Sequence, residues 1–231
     1  FKPATQYFYQ AGSPETEAWS DVRSFTTAEP EIKKFSFIWF GDTHCFPDSG
    51  KLANLTLKHQ DASFYTIAGD IVSTGLNRDD WDRFFQHPGD AFSKIPLMPV
   101  PGNHDRQDGR GAKMYYDLFS LPKNGPEGVE EESTYPFEYG NALFLMIDAT
   151  SDTDAHTPWI AEKLKNTTAQ WKFAVFHFPP YNYEEPYPEI QEAWVPLFDR
   201  YHVHMVMSGH IHYYMGSKPM NGGNLVDTND K

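Results

Sequence analysis

Cysteine is nearly absent: Cys45 is the only one in 231 residues. That excludes an intramolecular disulfide and any zinc cluster built on cysteine, and it leaves the compartment open. Long apolar runs are missing too, since none approaches the roughly 18 residues that a membrane span needs. Basic charge is scarce. Lys and Arg number 19 against 32 Asp and Glu, for a formal net charge of -13. A nucleic-acid groove needs a basic face, so long nucleic acids are disfavoured as partners. Metals are not, because carboxylates around a metal add to such a count. There is no internal repeat and no low-complexity segment. The chain starts at Phe1 without a signal-like segment and reads as a mature form or a fragment.

Apolar material is ample. Hydrophobic residues make up 39% and aromatics 16%, enough to bury a core. Residues 5–10 and 19–26 have strand composition about a Gly12-Ser13-Pro14 turn and predict a β-hairpin. Further strands are expected at 35–40, 63–68, 97–100, 171–176 and 203–207, with a hairpin at 135–139 and 142–147 about Gly140-Asn141. Helices are expected at 52–59, 79–85, 112–119, 157–164 and 189–201. Pro158 falls near the first turn of its helix, and Pro196 interrupts or delays the last one. Residues 122–134 read as a surface loop, and a polar, Gly-rich tail begins at Gly216. Strands alternating with helices give an α/β class.

Each of five strands ends in a polar group. The stretches are Gly41-Asp42-Thr43-His44, Gly69-Asp70, Gly102-Asn103-His104-Asp105, His177 and Gly209-His210-Ile211-His212. In open α/β sheets the site lies off the carboxyl ends of the strands, so these groups can converge. Asp42 and His44 are two apart and are expected on one side of an extended segment. His210 and His212 repeat the spacing. The same rule turns Cys45 away from His44, as a buried, inert thiol. Mixed nitrogen and oxygen donors in this number suit two first-row metals, with a shared carboxylate holding them roughly 3.5–4 Å apart. A bridging hydroxide would then attack phosphorus in line. His104 is unassigned to metal and is placed to protonate the leaving alkoxide.

Asp42-x-His44, Gly69-Asp70, Gly102-Asn103-His104-Asp105, His177 and Gly209-His210-x-His212 stand in order across residues 35–214. Together they resemble the five signature blocks of the calcineurin-like metallophosphoesterases. The resemblance implies an α/β fold made of a two-sheet β-sandwich flanked by helices. It implies that Asp42, His44, Asp70 and His212 hold one metal, and that Asp70, Asn103, His177 and His210 hold the other. Two divalent ions, Mn, Fe or Zn, are the implied cofactors. His104 and Asp70 are the implied catalytic residues, with Asn103 and His104 toward the phosphate. His156, in a polar loop after the strand that leads to Asp148, is a further candidate on the substrate side. The remaining histidines, His59, His87, His202 and His204, match no block and read as surface or structural.

The stretch His177-Phe178-Pro179-Pro180-Tyr181 and the hairpin about Gly140-Asn141 are similar to the purple-acid-phosphatase-like branch. Residues 7–27 resemble the last two strands of the fibronectin-type domain that precedes the catalytic domain there. The implied division is 1–28 for that hairpin, 29–34 for a linker and 35–231 for the catalytic domain, with truncation open at its C-terminus. Two departures matter. True purple acid phosphatases carry a tyrosine three residues after the bridging aspartate and lack the histidine two after the first aspartate. Here those positions are Ser73 and His44. Protein serine/threonine phosphatases carry Asp and Arg where this chain has Ser73 and Thr74, so that branch is disfavoured, and so is a carboxylate orienting His104. The expected function is a two-metal phosphoesterase acting on a small phosphorylated substrate, a phosphatase before a phosphodiesterase. The alternatives are a nucleotide or cyclic-nucleotide phosphodiesterase or nuclease, and a catalytically silent metal-binding or scaffold protein. A periplasmic or secreted location is expected, with the cytoplasm left open; oligomeric state is not fixed.

Overall fold

Four short strands open the chain in the computed structural model, which describes residues 1–59, 61–107 and 109–226. They are β1 (Gln6–Tyr9), β2 (Gly12–Ser13), β3 (Ala18–Trp19) and β4 (Arg23–Thr26). β1 pairs antiparallel with β4, and β2 with β3, so the expected hairpin forms as two successive ladders. The Tyr9 hydroxyl donates to Ser93 O at 2.7 Å and Arg23 pairs with Asp90, which fastens the hairpin to the rest of the molecule.

The first half continues with β5 (Ser36–Phe40), α1 (Pro47–His59), β6 (Ala62–Ala68), α2 (Arg78–Gln86), α3 (Ala91–Lys94), β7 (Leu97–Val100) and α4 (Lys113–Leu118). Strands β5, β6 and β7 form a parallel sheet in that order. The second half holds β8 (Tyr135–Tyr139), β9 (Ala142–Met146), α5 (Thr153–Asn166), β10 (Trp171–Val175), α6 (Pro188–Ala193), α7 (Val195–Arg200) and β11 (Met205–Met207). A small hairpin, β12 (Met220–Asn221) and β13 (Asn224–Leu225), follows. The second sheet has the order β11-β10-β9-β8, parallel except for the antiparallel pair of β8 and β9.

Side-chain alternation decides the layers. In β9, Ala142, Phe144 and Met146 enter a core between the sheets, while Leu143 and Leu145 enter a second core on the far side. Phe144 stacks on Phe137 at 4.9 Å and on Phe173 at 4.8 Å, and meets Phe37 and Phe64 of the first sheet edge-on at 5.0 and 5.1 Å. Each such aromatic pair adds about 0.5–1.5 kcal/mol beyond its buried area. Outside the second sheet, Leu145 and Phe176 pack with Trp159 and Ile160 of α5 and with Trp194 and Phe198. Outside the first, Tyr65 packs with Ala53 of α1 and Ala91 of α3. The result is helices, sheet, sheet, helices. Apolar cover on both faces is why the strands read as continuous apolar runs.

Several boundaries differ from expectation for identifiable reasons. α1 begins at Pro47 rather than 52, with proline at its first position and Asp48 in its first turn. α5 begins at Thr153 rather than 157 because Asp152 caps it, accepting from the Asp154 N–H at 3.0 Å. Pro158 therefore lies inside this helix, not in its first turn. The helix expected over 189–201 is two, divided at Trp194 just before Pro196. β11 begins at Met205, because the Val203 N–H turns back to Phe198 O. The tail forms β12 and β13 about Gly222-Gly223, and its end, residues 227–231, lies outside the described residues. Among the described residues no helix is long and apolar enough to cross a membrane.

Candidate metal centre

Five strand ends deliver their polar residues to one place. Asp42 and His44 follow β5, Asp70 follows β6, Asn103 and His104 follow β7, His177 follows β10, and His210 and His212 follow β11. Donor atoms of Asp42, His44, Asp70 and His212 lie within 4.8 Å of one another, as do those of Asp70, His177 and His210. Asp70 belongs to both groups. Its Oδ2 is 3.2 Å from His177 Nε2 and 3.8 Å from His44 Nε2. Asn103 Oδ1 stands 2.9 Å from His177 Nε2. Two pairs of ring nitrogens crowd to 3.2 Å, His44 Nε2 with His212 Nε2 and His177 Nε2 with His210 Nδ1. Ring nitrogens gathered round a buried carboxylate, with a second carboxylate and an amide beside them, are a donor set that first-row divalent cations take. The residues present fit two such ions.

The backbone reaches this arrangement by a different path from the extended one expected. Asp42, His44, Cys45, Asp70 and His210 have φ values of 51°, 45°, 54°, 51° and 70°. This is the left-handed region, which costs a non-glycine residue on the order of 1 kcal/mol or more. The chain thus reverses at the strand ends, and the two-residue spacings converge through turns rather than strand alternation. Backbone bonds hold the reversals. The Asp42, His44 and Cys45 N–H groups donate to Gly69, Asp70 and Ile71 carbonyls at 3.1, 3.0 and 2.9 Å. Cys45 ends in the core as expected. Two approaches admit only glycine. A Cβ on Gly102 would collide with Asp70 Oδ1 and its backbone nitrogen, and one on Gly209 would lie 2.5 Å from Asp42 Oδ2.

Ring orientation is fixed from behind. His177 Nδ1–H donates to Ala68 O at 2.8 Å, which leaves Nε2 toward Asp70 and Asn103. Burial works to lower the His177 pKa, but the adjoining Asp70 carboxylate outweighs it and the pKa is raised. Conversely, burial works to raise Asp70, and the bond and charge of His177 bring it below the usual carboxylate range. Asp42 is raised, chiefly by burial, while burial lowers both His44 and His210. The site thus holds its carboxylates in unlike electrostatic settings.

His104 has its own anchors. Its ring Nδ1–H donates to Ser73 O at 2.8 Å, and its backbone N–H donates to Asp70 Oδ1 at 2.9 Å. Its ring meets His44 edge-on at 4.9 Å. Asp105 does not hold it. That buried carboxylate accepts instead from the Gly102, Val72 and Ile71 N–H groups at 2.8, 3.1 and 3.2 Å, and burial pushes its pKa up to about 7. Asp105 therefore ties the turn after β6 to the turn after β7.

The loop placement expected for His156 is corrected by the structure. The residue lies in α5, is fully buried, and uses both ring nitrogens, with Thr134 Oγ1 at 2.9 Å and Asp152 O at 2.7 Å. The structure does not bring it to the donor cluster. Of the histidines outside the blocks, His87 Nδ1 pairs with Cys45 O at 3.0 Å and His204 Nδ1 accepts from the Lys172 N–H at 3.2 Å. The side chain of His59 lies outside the described residues. Two groups were not foreseen. One is the Ser73 carbonyl, invisible because any residue supplies a carbonyl. The other is Glu185, whose Oε2 is 3.5 Å from His210 Nε2; a loop glutamate carries no sequence signal of where it points. A cleft of about 440 Å³ opens between residues 149–154, where the chain enters α5, and Phe178, Tyr187 and Glu189, and the Phe178 and Tyr187 rings that line it also meet the His210 ring.

Residues 35–214 match the family described as Calcineurin-like phosphoesterase, and the chain belongs to that family. Within it, the chain is 26% identical to purple acid phosphatase 23 of Arabidopsis thaliana, over 92% of this chain and 55% of that protein. Purple acid phosphatase 15 of the same plant is also 26% identical, over 92% of this chain and 47% of its own length. An uncharacterised protein of Mycobacterium tuberculosis is 24% identical over 98% of this chain and 51% of its own. The chain thus spans about half the length of these curated relatives. A solved structure of a purple acid phosphatase from yellow lupin (Lupinus luteus) seeds superposes with a TM-score of 0.74 at 19% identity, over 91% of this chain and 44% of that one. The two share the sandwich fold.

Proposed function

We propose that this chain hydrolyses small phosphate esters at a centre of two divalent metal ions, monoesters in preference to diesters. The observation that carries the reading is Asp70 standing in both donor groups, with His104 anchored at their edge. Asp42, His44, Asp70 and His212 would hold one ion, and Asp70, Asn103, His177 and His210 the other. Ions of this kind supply Lewis acidity toward phosphoryl oxygens and lower the pKa of water. Asn103 contributes a neutral oxygen, which leaves the charge of its ion less compensated than a third carboxylate would.

His104 is the general acid. Its Nδ1–H is committed to Ser73 O, so Nε2 is the nitrogen free to hold a proton toward a leaving alkoxide. The cleft against Phe178 and Tyr187 offers room for the leaving group. It is lined by Asp152, Asp154 and Glu189, and with a chain charge of -13 this disfavours long polyanions such as nucleic acid. Similarity to proteins named as phosphatases supports the monoester preference. Residues 1–28 are read as the last strands of a fibronectin-type domain, 29–34 as a linker and 35–231 as the catalytic unit. A periplasmic or secreted location accompanies this reading.

The test combines elemental analysis of protein purified without added metal with turnover of a chromogenic monoester and a chromogenic diester. The expected result is two ions of Mn, Fe or Zn per chain and faster monoester cleavage, with both activities lost in Asp70→Ala. A wild-type chain that takes up no metal and turns over neither ester would be a silent scaffold, and the proposal would fall.

A further inference from the structure

His210 presents Nδ1 to the cluster, 3.2 Å from His177 Nε2, so its Nε2 is the outer nitrogen. An imidazole that gives one nitrogen to a metal carries its proton on the other, and a carboxylate there fixes the tautomer and the ring plane. For His177 that task falls to the Ala68 carbonyl. For His210 the group at the outer nitrogen is the Glu185 carboxylate, with Oε2 at 3.5 Å. We infer that Glu185 is a positioning residue for His210, an inference that rests on the reading of His210 as a metal ligand.

Glu185 is 60% exposed, and an exposed glutamate is ordinarily free to wander. Here the loop is clamped on it. Asn182 Oδ1 accepts from the Glu184 and Glu185 N–H groups at 2.8 and 2.7 Å, and Asn182 Nδ2 donates to Glu185 O at 2.6 Å. The Tyr187 hydroxyl then donates to Glu185 Oε2 at 2.8 Å. Tyr187 is itself buried and stacks on Phe178 at 4.8 Å, and Phe178 meets the His210 ring edge-on at 4.8 Å. One short loop therefore packs an aromatic ring against His210 and holds a carboxylate at its outer nitrogen. Glu185 would make His210 a better donor and set the direction of its Nδ1 lone pair.

The experiment uses the chain loaded with two equivalents of Zn²⁺, and follows zinc release to a chromophoric chelator in wild type, Glu185→Ala, Glu185→Gln and Tyr187→Phe. Outer partners of ligand histidines typically carry about 10–100-fold in metal affinity. One of the two zinc ions should leave Glu185→Ala at least about tenfold more readily, at the low end of that range because the carboxylate is exposed. Glu185→Gln keeps an acceptor oxygen and should recover most of the loss, and Tyr187→Phe should fall between. In Co²⁺-loaded protein the visible ligand-field bands should shift in Glu185→Ala and return toward wild type in Glu185→Gln. The metal-free thermal midpoint should be unchanged, as a purely structural role would not predict. If wild type binds two zinc ions and Glu185→Ala releases them as wild type does, with the same cobalt spectrum, the inference is overturned and the proposed function stands. If wild type binds no zinc, the proposed function fails and takes the inference with it.

Discussion

The backbone N–H of His210 donates to both carboxylate oxygens of Asp42, at 2.9 and 2.7 Å. These residues are 168 positions apart and follow strands of different sheets. Asp42 therefore closes the sandwich at its site end, and under the proposed function it would also donate to a metal. Asp42→Asn keeps an acceptor for the N–H but loses the charge. It should lose metal while keeping most of its stability. Asp42→Ala orphans a partly buried N–H, which costs about 1–3 kcal/mol, and each kcal/mol lowers Tm by roughly 2–4 °C in a domain of this size. Thermal unfolding of the two metal-free variants compares them; equal midpoints would contradict the closing role.

Removing the His104 ring should reduce kcat by about 10²–10⁴-fold, the usual contribution of a positioned acid. His104→Ala should keep its metal, because the ring is anchored on Ser73 O and not on the donor groups. The loss should be largest for alkyl phosphates and small for nitrophenyl phosphate, whose leaving group needs no proton. Kinetics across that leaving-group series, with metal content measured alongside, decides it. An equal loss for all leaving groups would place His104 in binding rather than in proton transfer.

Ser73 occupies the position three after Asp70, with its hydroxyl donating to His44 O at 3.0 Å and its carbonyl holding His104. No phenolate can ligate an ion from there. Purified, metal-replete protein should lack the intense visible charge-transfer band of a tyrosinate bound to ferric iron. An absorption spectrum checks this directly, and a persistent purple colour would refute it.

The donor residues come from both sheets, so metal binding should resist their separation. At a free metal concentration 100 times Kd, linkage adds about 2.7 kcal/mol to the folded state, or roughly 5–10 °C in Tm. Scans with and without Zn²⁺ or Mn²⁺ should show that rise in wild type. Asp70→Asn, which weakens both donor groups, should abolish most of it.

Acid should weaken the fold in part through His156. Burial lowers its pKa, only partly countered by the Asp152 carbonyl and the charges of Asp148 and Asp152, while Arg106 lowers it further. Its neutral form is the one the structure satisfies, with Nδ1–H donating to Asp152 O and Nε2 accepting from the Thr134 hydroxyl. The sign follows. The unfolded state binds the proton first, near pH 6.5, so this contribution is intact above 6.5 and is lost as pH falls toward the lowered folded value. Asp105, pushed up to about 7, works in the opposite sense. The useful quantity is therefore the difference between wild type and His156→Gln. Urea midpoints from pH 7.5 to 5 should fall more steeply for wild type.

The convergence of these strand-end residues was legible because each follows an apolar run, and a parallel sheet sends all its carboxyl ends one way. Gly41, Gly69, Gly102 and Gly209 added the mark of close backbone approach. What the sequence pattern concealed is the path. Asp42, His44 and His210 take left-handed backbone that side-chain type does not announce, so the convergence expected from strand alternation comes about through turns instead. His156 was misplaced because Asp152, a helix cap followed by an acidic first turn, was taken for loop. Glu185 and the Ser73 carbonyl were out of reach, since their roles come from where loops fold back rather than from what they contain.

The 3.2 Å approach of His44 to His212 spans 168 residues. During synthesis, domains emerge N-terminal end first, at about 5–20 residues per second. A nascent chain shows the turns after β5, β6 and β7 long before β10 and β11 leave the ribosome. Until β11 docks it has Asp42, Asp70 and Asn103 but neither His210 nor His212. Under the proposed function, metal capture would wait until β11 has docked, and a prematurely terminated chain lacking β11 would be left without His210 and His212.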